Sequence, residues 1–268
     1  MNLPVTPSPT SSATDRLRIS ANVVFAVTQC LAPALPALGI GQEVGARSAQ
    51  DPSPIVPPGP FFAIWGVIFA FCLSYAVYQA RACHHTDTLL RQIGIWTALA
   101  FAGNTLWIVV AQASGIEFAT FLILLGIWGS ALATLIRIVP TQRDLSVPRQ
   151  FCVLVPFSLL AGWTTAATFL SVAGLLDNWI RLPAVPEYLA LGGAALVSAG
   201  LVTKLKANLW FTLTLTYAFV GIIMRTLREA RPELALAAAI ALSFVIVAYI
   251  LQRRRTPDSP HDSRRSPS

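Results

Sequence analysis

FATFLILLGIWGSALATLI, residues 118–136, decides the solvent in which this chain folds. The stretch holds no Asp, Glu, Lys, Arg or His, and charge returns only at its edges, with Glu117 and Arg137. As a helix rising 1.5 Å per residue it covers about 30 Å, the thickness of a bilayer's hydrocarbon core. An amphipathic helix of a water-soluble protein would be broken by polar residues every third or fourth position. The same texture recurs along the chain, in Ser20–Gly41, Phe61–Ala80, Gln92–Gln112, Phe151–Leu176, Tyr188–Thr203, Ala207–Met224 and Leu234–Leu251. Composition agrees: of 268 residues 55% are hydrophobic and 12% charged, with a mean hydropathy of +0.64, so there is too little polar surface to coat a soluble globule. The expected fold is all-α, a polytopic transmembrane helix bundle of about eight spans. The first block contains Pro33 and Pro36 and the sixth is short and rich in Gly and Ala, so seven spans stay open as an alternative.

A net charge of +7 suits either nucleic acid or membrane topology, and the placement of the basic residues separates the two. With the N-terminus inside, cytoplasmic segments hold Arg16, Arg18, Arg81, Arg91, Arg137, Arg143, Arg149, Lys204, Lys206, Arg253, Arg254, Arg255, Arg264 and Arg265. The opposite side holds Arg47, Arg181, Arg225, Arg228 and Arg231, which is 5 of the 19 Lys and Arg against 14. That asymmetry follows the positive-inside rule, puts both termini in the cytoplasm and points away from nucleic acid as a partner. Arg far outnumbers Lys and Ala is abundant, which suggests a GC-rich genome and a bacterial plasma membrane. The first block also admits a cleaved signal peptide, with Val44-Gly45-Ala46 as the cleavage site, although the run is longer than a typical signal core.

Residues 1–19 and 253–268, rich in Pro, Ser, Thr and Arg, have no apolar set to bury and are expected to be disordered tails. The basic tail reads either as an anchor of topology that meets anionic lipid or as a partner-binding or phosphorylation segment, the first being favoured. Cys30 and Cys72 fall inside spans and Cys83 and Cys152 near the cytoplasmic face, so they make no disulfide framework. Cys83-His84-His85 is a loop triplet without a second ligand cluster, and no metal is expected there. One loop is long, Gln42–Pro60, and it reads either as a lid or as a spacer.

The interiors of the spans contain no Asp, Glu, Lys, Arg or His, which argues against proton- or sodium-coupled transport. It argues equally against an intramembrane hydrolase, because Ser158 and Ser171 have no base beside them in their span. What the spans offer is tryptophan and small polar groups. Trp96, Trp179 and Trp210 lie near span ends, where indole rings settle at the headgroups. Trp65, Trp107, Trp128 and Trp163 lie deeper, where an indole N–H needs a partner inside the bundle. Phe61, Trp65 and Phe69 recur every four residues, Asn104 and Trp107 are three apart, and Trp163, Ala167 and Ser171 share a stripe. Such faces can line a pocket for a flat apolar ligand or can serve helix packing, and periodicity by itself favours packing.

Three blocks add a resemblance. Val56-Pro57-Pro58-Gly59-Pro60-Phe61-Phe62-Ala63-Ile64-Trp65-Gly66-Val67-Ile68-Phe69 resembles the second-helix signature of the tryptophan-rich sensory protein family (TspO/MBR, the translocator protein or peripheral benzodiazepine receptor family). Asn104-Thr105-Leu106-Trp107 resembles its third-helix Asn-x-x-Trp, and Pro156-Phe157, Gly162-Trp163 and Ala167 its fifth-helix set, in the same order. The likeness covers about Ser20 to Leu176, the five-helix core of residues 20–176; the extension 177–252, with Trp210 and Tyr217 to Gly221-Ile222, resembles that of longer relatives. Where the family often has Asn eight residues after the fifth-helix Trp, this chain has Ser171, and its fifth span lacks the Tyr of the cholesterol pattern.

The resemblance implies a non-enzymatic membrane protein that binds tetrapyrroles (porphyrin or haem) or other flat hydrophobic ligands, often as a homodimer, in transport or sensing. It requires no resident cofactor. The pocket residues implied are Trp65, Asn104, Trp107 and Trp163, with Phe61, Phe69 and Ser171 in lesser roles and the Gln42–Pro60 loop as lid. Rival readings are a transporter of a neutral solute, a membrane enzyme acting on tetrapyrroles or lipids, and a scaffold for partner subunits.

Overall fold

A computed structural model describes residues 12–49, 53–115, 118–177, 179–180 and 182–255. Among these residues there are eight helices long and apolar enough to cross a membrane, and no strand. They are α1 (Ala13–Leu31), α2 (Ile64–Ala80), α3 (Thr88–Ser114), α4 (Phe118–Ile138), α5 (Val155–Asp177), α6 (Val185–Lys204), α7 (Leu209–Arg228) and α8 (Pro232–Arg255). Two 3-10 segments extend the set: Ala32–Leu38, which holds Pro33 and Pro36, carries on from α1, and Gly59–Ala63 leads into α2. The fold class expected from the sequence is therefore the observed one.

The bundle is organised around α5. It packs against α2 and α4 on one side and α6 and α7 on the other, and no large apolar side chain between Val155 and Asp177 is exposed. The other helices all present such side chains outward, among them Val24, Val67, Leu106, Leu122, Leu196, Leu213 and Phe244. An apolar girdle of this kind suits lipid as the surrounding solvent. α1 lies against α2 and α3, α3 against α4, and α8 closes the far side against α6 and α7. Helix α5 is thus the wall shared by α1–α4 and α6–α8. Close approach at that wall depends on Gly162, where a Cβ would stand 2.9 Å from the Phe211 carbonyl oxygen and 2.8 Å from Thr214 Cβ. A π-turn over Gln150–Leu154 opens the register just before α5, and Pro156 lacks the N–H that a regular helix would aim at Cys152.

The N-terminal tail is shorter than expected. Helix α1 starts at Ala13, where Ser12 and Asp15 form a reciprocal capping box, so residues 13–19 belong to the bundle. Asp15 then receives a two-pronged bond from Arg91 of α3, at 2.8 Å from Nε and 2.6 Å from Nη2. Arg18 crosses Gly94 and donates to Gln79 Oε1, the Leu90 carbonyl and the His85 carbonyl at 3.2, 3.3 and 3.0 Å. These charges stay at the helix end, within reach of the interface. At the other tail, Arg253–Arg255 complete the last turn of α8; residues 1–11 and 256–268 lie outside the described residues.

Deeper along α1 the contacts become neutral and polar. Asn22 Nδ2 donates to the Gly94 carbonyl at 2.9 Å, Thr97 Oγ1 donates to Asn22 Oδ1 at 2.6 Å, and Asn104 Nδ2 donates to Gln29 Oε1 at 2.9 Å. This seam ties α1 to α3. At the opposite end the long loop is tied to α3 as well: Gln42 N and Arg47 Nη2 both donate to the Gln112 carbonyl, at 3.0 and 2.9 Å. The turn there needs Gly41, which has φ +75° and whose Cβ would come within 2.4 Å of that same oxygen.

Candidate functional site

A cavity of about 770 Å³ occupies the end of the bundle opposite the helix ends at Ala13 and Arg255. That volume lies in the range of small-molecule pockets, roughly 300–1,000 Å³. Its floor is one face of α5, from Trp163 through Ala167, Leu170 and Ser171 to Gly174, a stripe at helical spacing. Helix α2 contributes Trp65 and the preceding 3-10 turn Phe62; α3 contributes Trp107; α4 contributes Phe118, Phe121 and Leu124. Ser53, Pro54 and Val56 of the long loop line it too, and the rim carries Asp177, Pro183, Ala184, Glu187 and Arg231.

The aromatic rings form one connected set. Trp65 lies 5.9 Å from Trp107 with the rings 31° apart, and meets Trp163 edge-on at 6.2 Å. Phe62 also meets Trp163 edge-on, at 5.7 Å. The indole nitrogens of Trp65 and Trp107 are buried and find no acceptor among the described residues. A desolvated N–H left unpaired costs about 1–3 kcal/mol. Trp128, outside the cavity, shows the usual solution, for its indole N–H donates to Thr165 Oγ1 at 2.8 Å. A wall carrying two unpaired donors over an apolar floor is therefore suited to a flat apolar body with an acceptor group.

Four of the seven residues singled out from the sequence, Trp65, Trp107, Trp163 and Ser171, come together on the cavity wall. Phe61, Phe69 and Asn104 do not. Phe61 precedes α2 in a 3-10 turn, where three residues complete a turn, so Phe62 rather than Phe61 falls in line with Trp65. Phe61 instead meets the tilted ring of Tyr217 of α7 at 4.8 Å, accepts a bond from the Tyr217 hydroxyl at its carbonyl (3.1 Å), and packs on Gly221. Phe69 backs Trp65 from within the core, 5.3 Å away. Asn104, one turn from Trp107 but offset by about 60°, faces α1 and Gln29. The loop expected as lid supplies Ser53, Pro54 and Val56.

The rim residues carry no motif in the sequence. Arg231 donates to Glu233 Oε1 at 2.6 Å, and that carboxylate raises the guanidinium's pKa above its ordinary value. Glu187, in the first turn of α6, has its Oε2 buried with no hydrogen-bond partner among the described residues, and its charge also acts on Arg231. Among the described residues no group of three or more His, Cys, Asp and Glu gathers as a metal site. In the triplet noted above, His84 stacks on Tyr78 at 4.1 Å and a ring nitrogen of His85 pairs with the Ala80 carbonyl at 2.9 Å.

Against known families, the model described as TSPO-like protein matches residues 17–251, which runs from α1 into α8. The chain belongs to the TSPO-like family. The match includes α6–α8, so the three C-terminal helices lie within the family pattern and the anchoring of Phe61 by Tyr217 joins two parts of it. No curated protein and no solved structure matches the chain.

Proposed function

We propose that this TSPO-like membrane protein binds a flat hydrophobic ligand, with a tetrapyrrole as the type case, in the cavity between α2, α3, α4 and α5, and that it senses or carries that ligand rather than transforming it. One observation carries the reading: a cavity of about 770 Å³ walled by Trp65, Trp107 and Trp163 in which two buried indole N–H groups have no acceptor. Rings supply stacking area, and the donors orient a ligand that brings an acceptor. By the bias of basic residues the cavity end faces the outside of a plasma membrane, with both termini in the cytoplasm.

The test is a titration of the full chain in lipid nanodiscs with protoporphyrin and with its uncharged dimethyl ester, followed by tryptophan fluorescence. Saturable quenching is expected, weakened in Trp163→Leu and, with the ring retained, in Trp107→Phe. No saturation with either compound, or the same curve in both variants, overturns the reading. Uptake into proteoliposomes then separates carriage from sensing.

A further inference from the structure

Lys204 and Lys206 are the only lysines of the chain, and they flank Leu205 where α6 turns into α7. The turn closes α6 as a Schellman motif: Lys206 N donates to the Thr203 carbonyl at 3.1 Å and Ala207 N to the Val202 carbonyl at 2.9 Å. Glycine is the unstrained residue at the left-handed position of this motif, yet Lys206 stands there with φ +51°, and Ala207 follows with φ +52°. The same motif ends α7, where Ala230 is the single left-handed residue. A lysine held where glycine would be less strained points to a use for its side chain. Lys204 lies in the last turn of α6, where a cation favours the helix end itself, but Lys206 lies beyond that turn. Both residues are exposed, and neither joins an ion pair among the described residues. Several arginines at this end of the bundle are engaged within the protein. Arg91 and Arg149 hold Asp15 and Asp87, Arg18 donates to carbonyls, and Arg137 lies over the ring of Trp96. Gln142 Nε2 donates to the Leu205 carbonyl at 3.3 Å, which docks the α4–α5 connection, with Arg143 and Asp144, onto the lysine turn. Asp144 is the one acid of residues 139–154 and 205–208, so the corner keeps a positive charge. Beside it the surface is apolar: Phe151, Leu209 and Leu213 are exposed, and Trp210 meets Phe151 edge-on at 6.0 Å, as an indole at the headgroup level can.

We propose that this corner binds an anionic phospholipid, its phosphate held by Lys204 and Lys206 and its acyl chains laid along Phe151, Leu209 and Leu213. The ammonium groups act on the phosphate as compact point charges. The apolar surface beside them selects a lipid over a free phosphate, which has nothing to lay against it. The site lies at the end of the bundle opposite the cavity and does not depend on it.

The test uses the full chain in a neutral detergent, titrated with phosphatidylglycerol and with phosphatidylcholine of the same acyl chains. Native mass spectrometry reads the bound lipid, and melting temperature reads its effect on the fold. The first phosphatidylglycerol should bind about twentyfold tighter than phosphatidylcholine, the worth of two lysines at an anionic headgroup, and should raise the melting temperature. Lys204→Gln combined with Lys206→Gln should bring the two lipids to within about twofold of each other. Arg16→Gln combined with Arg81→Gln removes the same charge from the same end and should leave the preference intact. Lys206→Gly separates strain from binding: without added lipid it should melt about 2 °C higher than wild type, while its preference for phosphatidylglycerol falls about fivefold. Ala230→Gly should raise the melting temperature and leave the preference unchanged. Inorganic phosphate in large excess should not displace the lipid. The proposal is overturned if phosphatidylglycerol binds no tighter than phosphatidylcholine, or if the preference survives in the lysine pair or is lost equally in the arginine pair. It is overturned as well if phosphate displaces the lipid, which would make the site one for a free anion, or if Lys206→Gly melts below wild type, which would tie Lys206 to the turn itself.

Discussion

Near the chain termini Asn22 makes three hydrogen bonds, to the carbonyls of Arg18 and Gly94 and with Thr97, and Thr97 passes the chain on to the Tyr75 hydroxyl at 3.1 Å. At the other end the indole N–H groups of Trp65 and Trp107 make none. Both regions bury polar groups between helices, yet they use them in opposite ways. Around Asn22, Thr97 and Tyr75 the α1–α3 seam is paired within the protein, and although Gln29 Nε2 and Asn104 Oδ1 further along it have no partner among the described residues, its polar groups chiefly fix how helices sit against one another. The cavity is unsaturated and hollow, which is unfavourable for the empty fold and becomes favourable when an acceptor arrives. A deletion in the seam should therefore cost stability and spare binding, and a deletion in the cavity should do the reverse.

The largest effect is expected at Gly94. A Cβ there would come within 2.3 Å of Arg18 Cδ, and the guanidinium beyond it is tied to three acceptors, so the side chain cannot simply swing away. Gly94→Leu should lower stability by about 3 kcal/mol, read as a drop in melting temperature in detergent. Ligand affinity of the folded fraction should be unchanged; a weakened affinity would mean that seam and cavity are one mechanical unit. Asn104→Leu comes next. It strands Gln29 Oε1 and should cost about 1 kcal/mol, the usual scale of a hydrogen bond between membrane helices. Porphyrin quenching should stay within about twofold of wild type, and a tenfold loss would return Asn104 to the ligand site.

Trp107→Phe tests the other side of the comparison with a smaller change in stability. A smaller aromatic ring stays and an unpaired buried donor goes, so the lost packing is offset in part and the variant should melt within about 1 kcal/mol of wild type. Affinity for an acceptor-bearing ligand should fall about fivefold to tenfold, the worth of one hydrogen bond. If Trp107→Phe melted well below wild type with unchanged affinity, the indole N–H would be structural and the contrast would fail.

The eight spans were legible in the sequence because length and freedom from charge are properties of the chain itself, which lipid selects directly. The start of α1 was not, since Asp15, Arg16 and Arg18 read as a polar tail until Arg91, 76 positions further on, supplies the partner that makes Asp15 at home in a helix. On α5 the stripe Trp163, Ala167 and Ser171 follows from helical spacing and lies along the cavity. The same arithmetic fails at Phe61, because Pro57 and Pro58 precede, and Pro60 opens, a 3-10 turn whose phase differs from that of an α-helix. Glu187 and Arg231 were invisible for another reason: a lone acid and a lone base acquire meaning only when α6 and α8 fold back against α5 and bring them to one rim.

The smallest effect concerns pH, at the end where the seam begins. His84 stacks on Tyr78, and partial burial, followed by the nearby charges of Arg149 and Arg81, lowers its pKa below the ordinary value. Because the folded protein disfavours the charged imidazole, the contribution of His84 to stability is whole above the unfolded-state value of about 6.5 and is lost as pH falls from there through the lowered folded value. Melting temperature should therefore decline slightly on acidification across this window. In His84→Phe, which keeps a ring against Tyr78 but cannot take a proton, that part of the decline should vanish. Ligand affinity should show no matching change, since His84 and the cavity lie at opposite ends of the bundle. A pH dependence of binding that disappeared with the imidazole would couple the two ends through α2 and overturn the separation drawn between them.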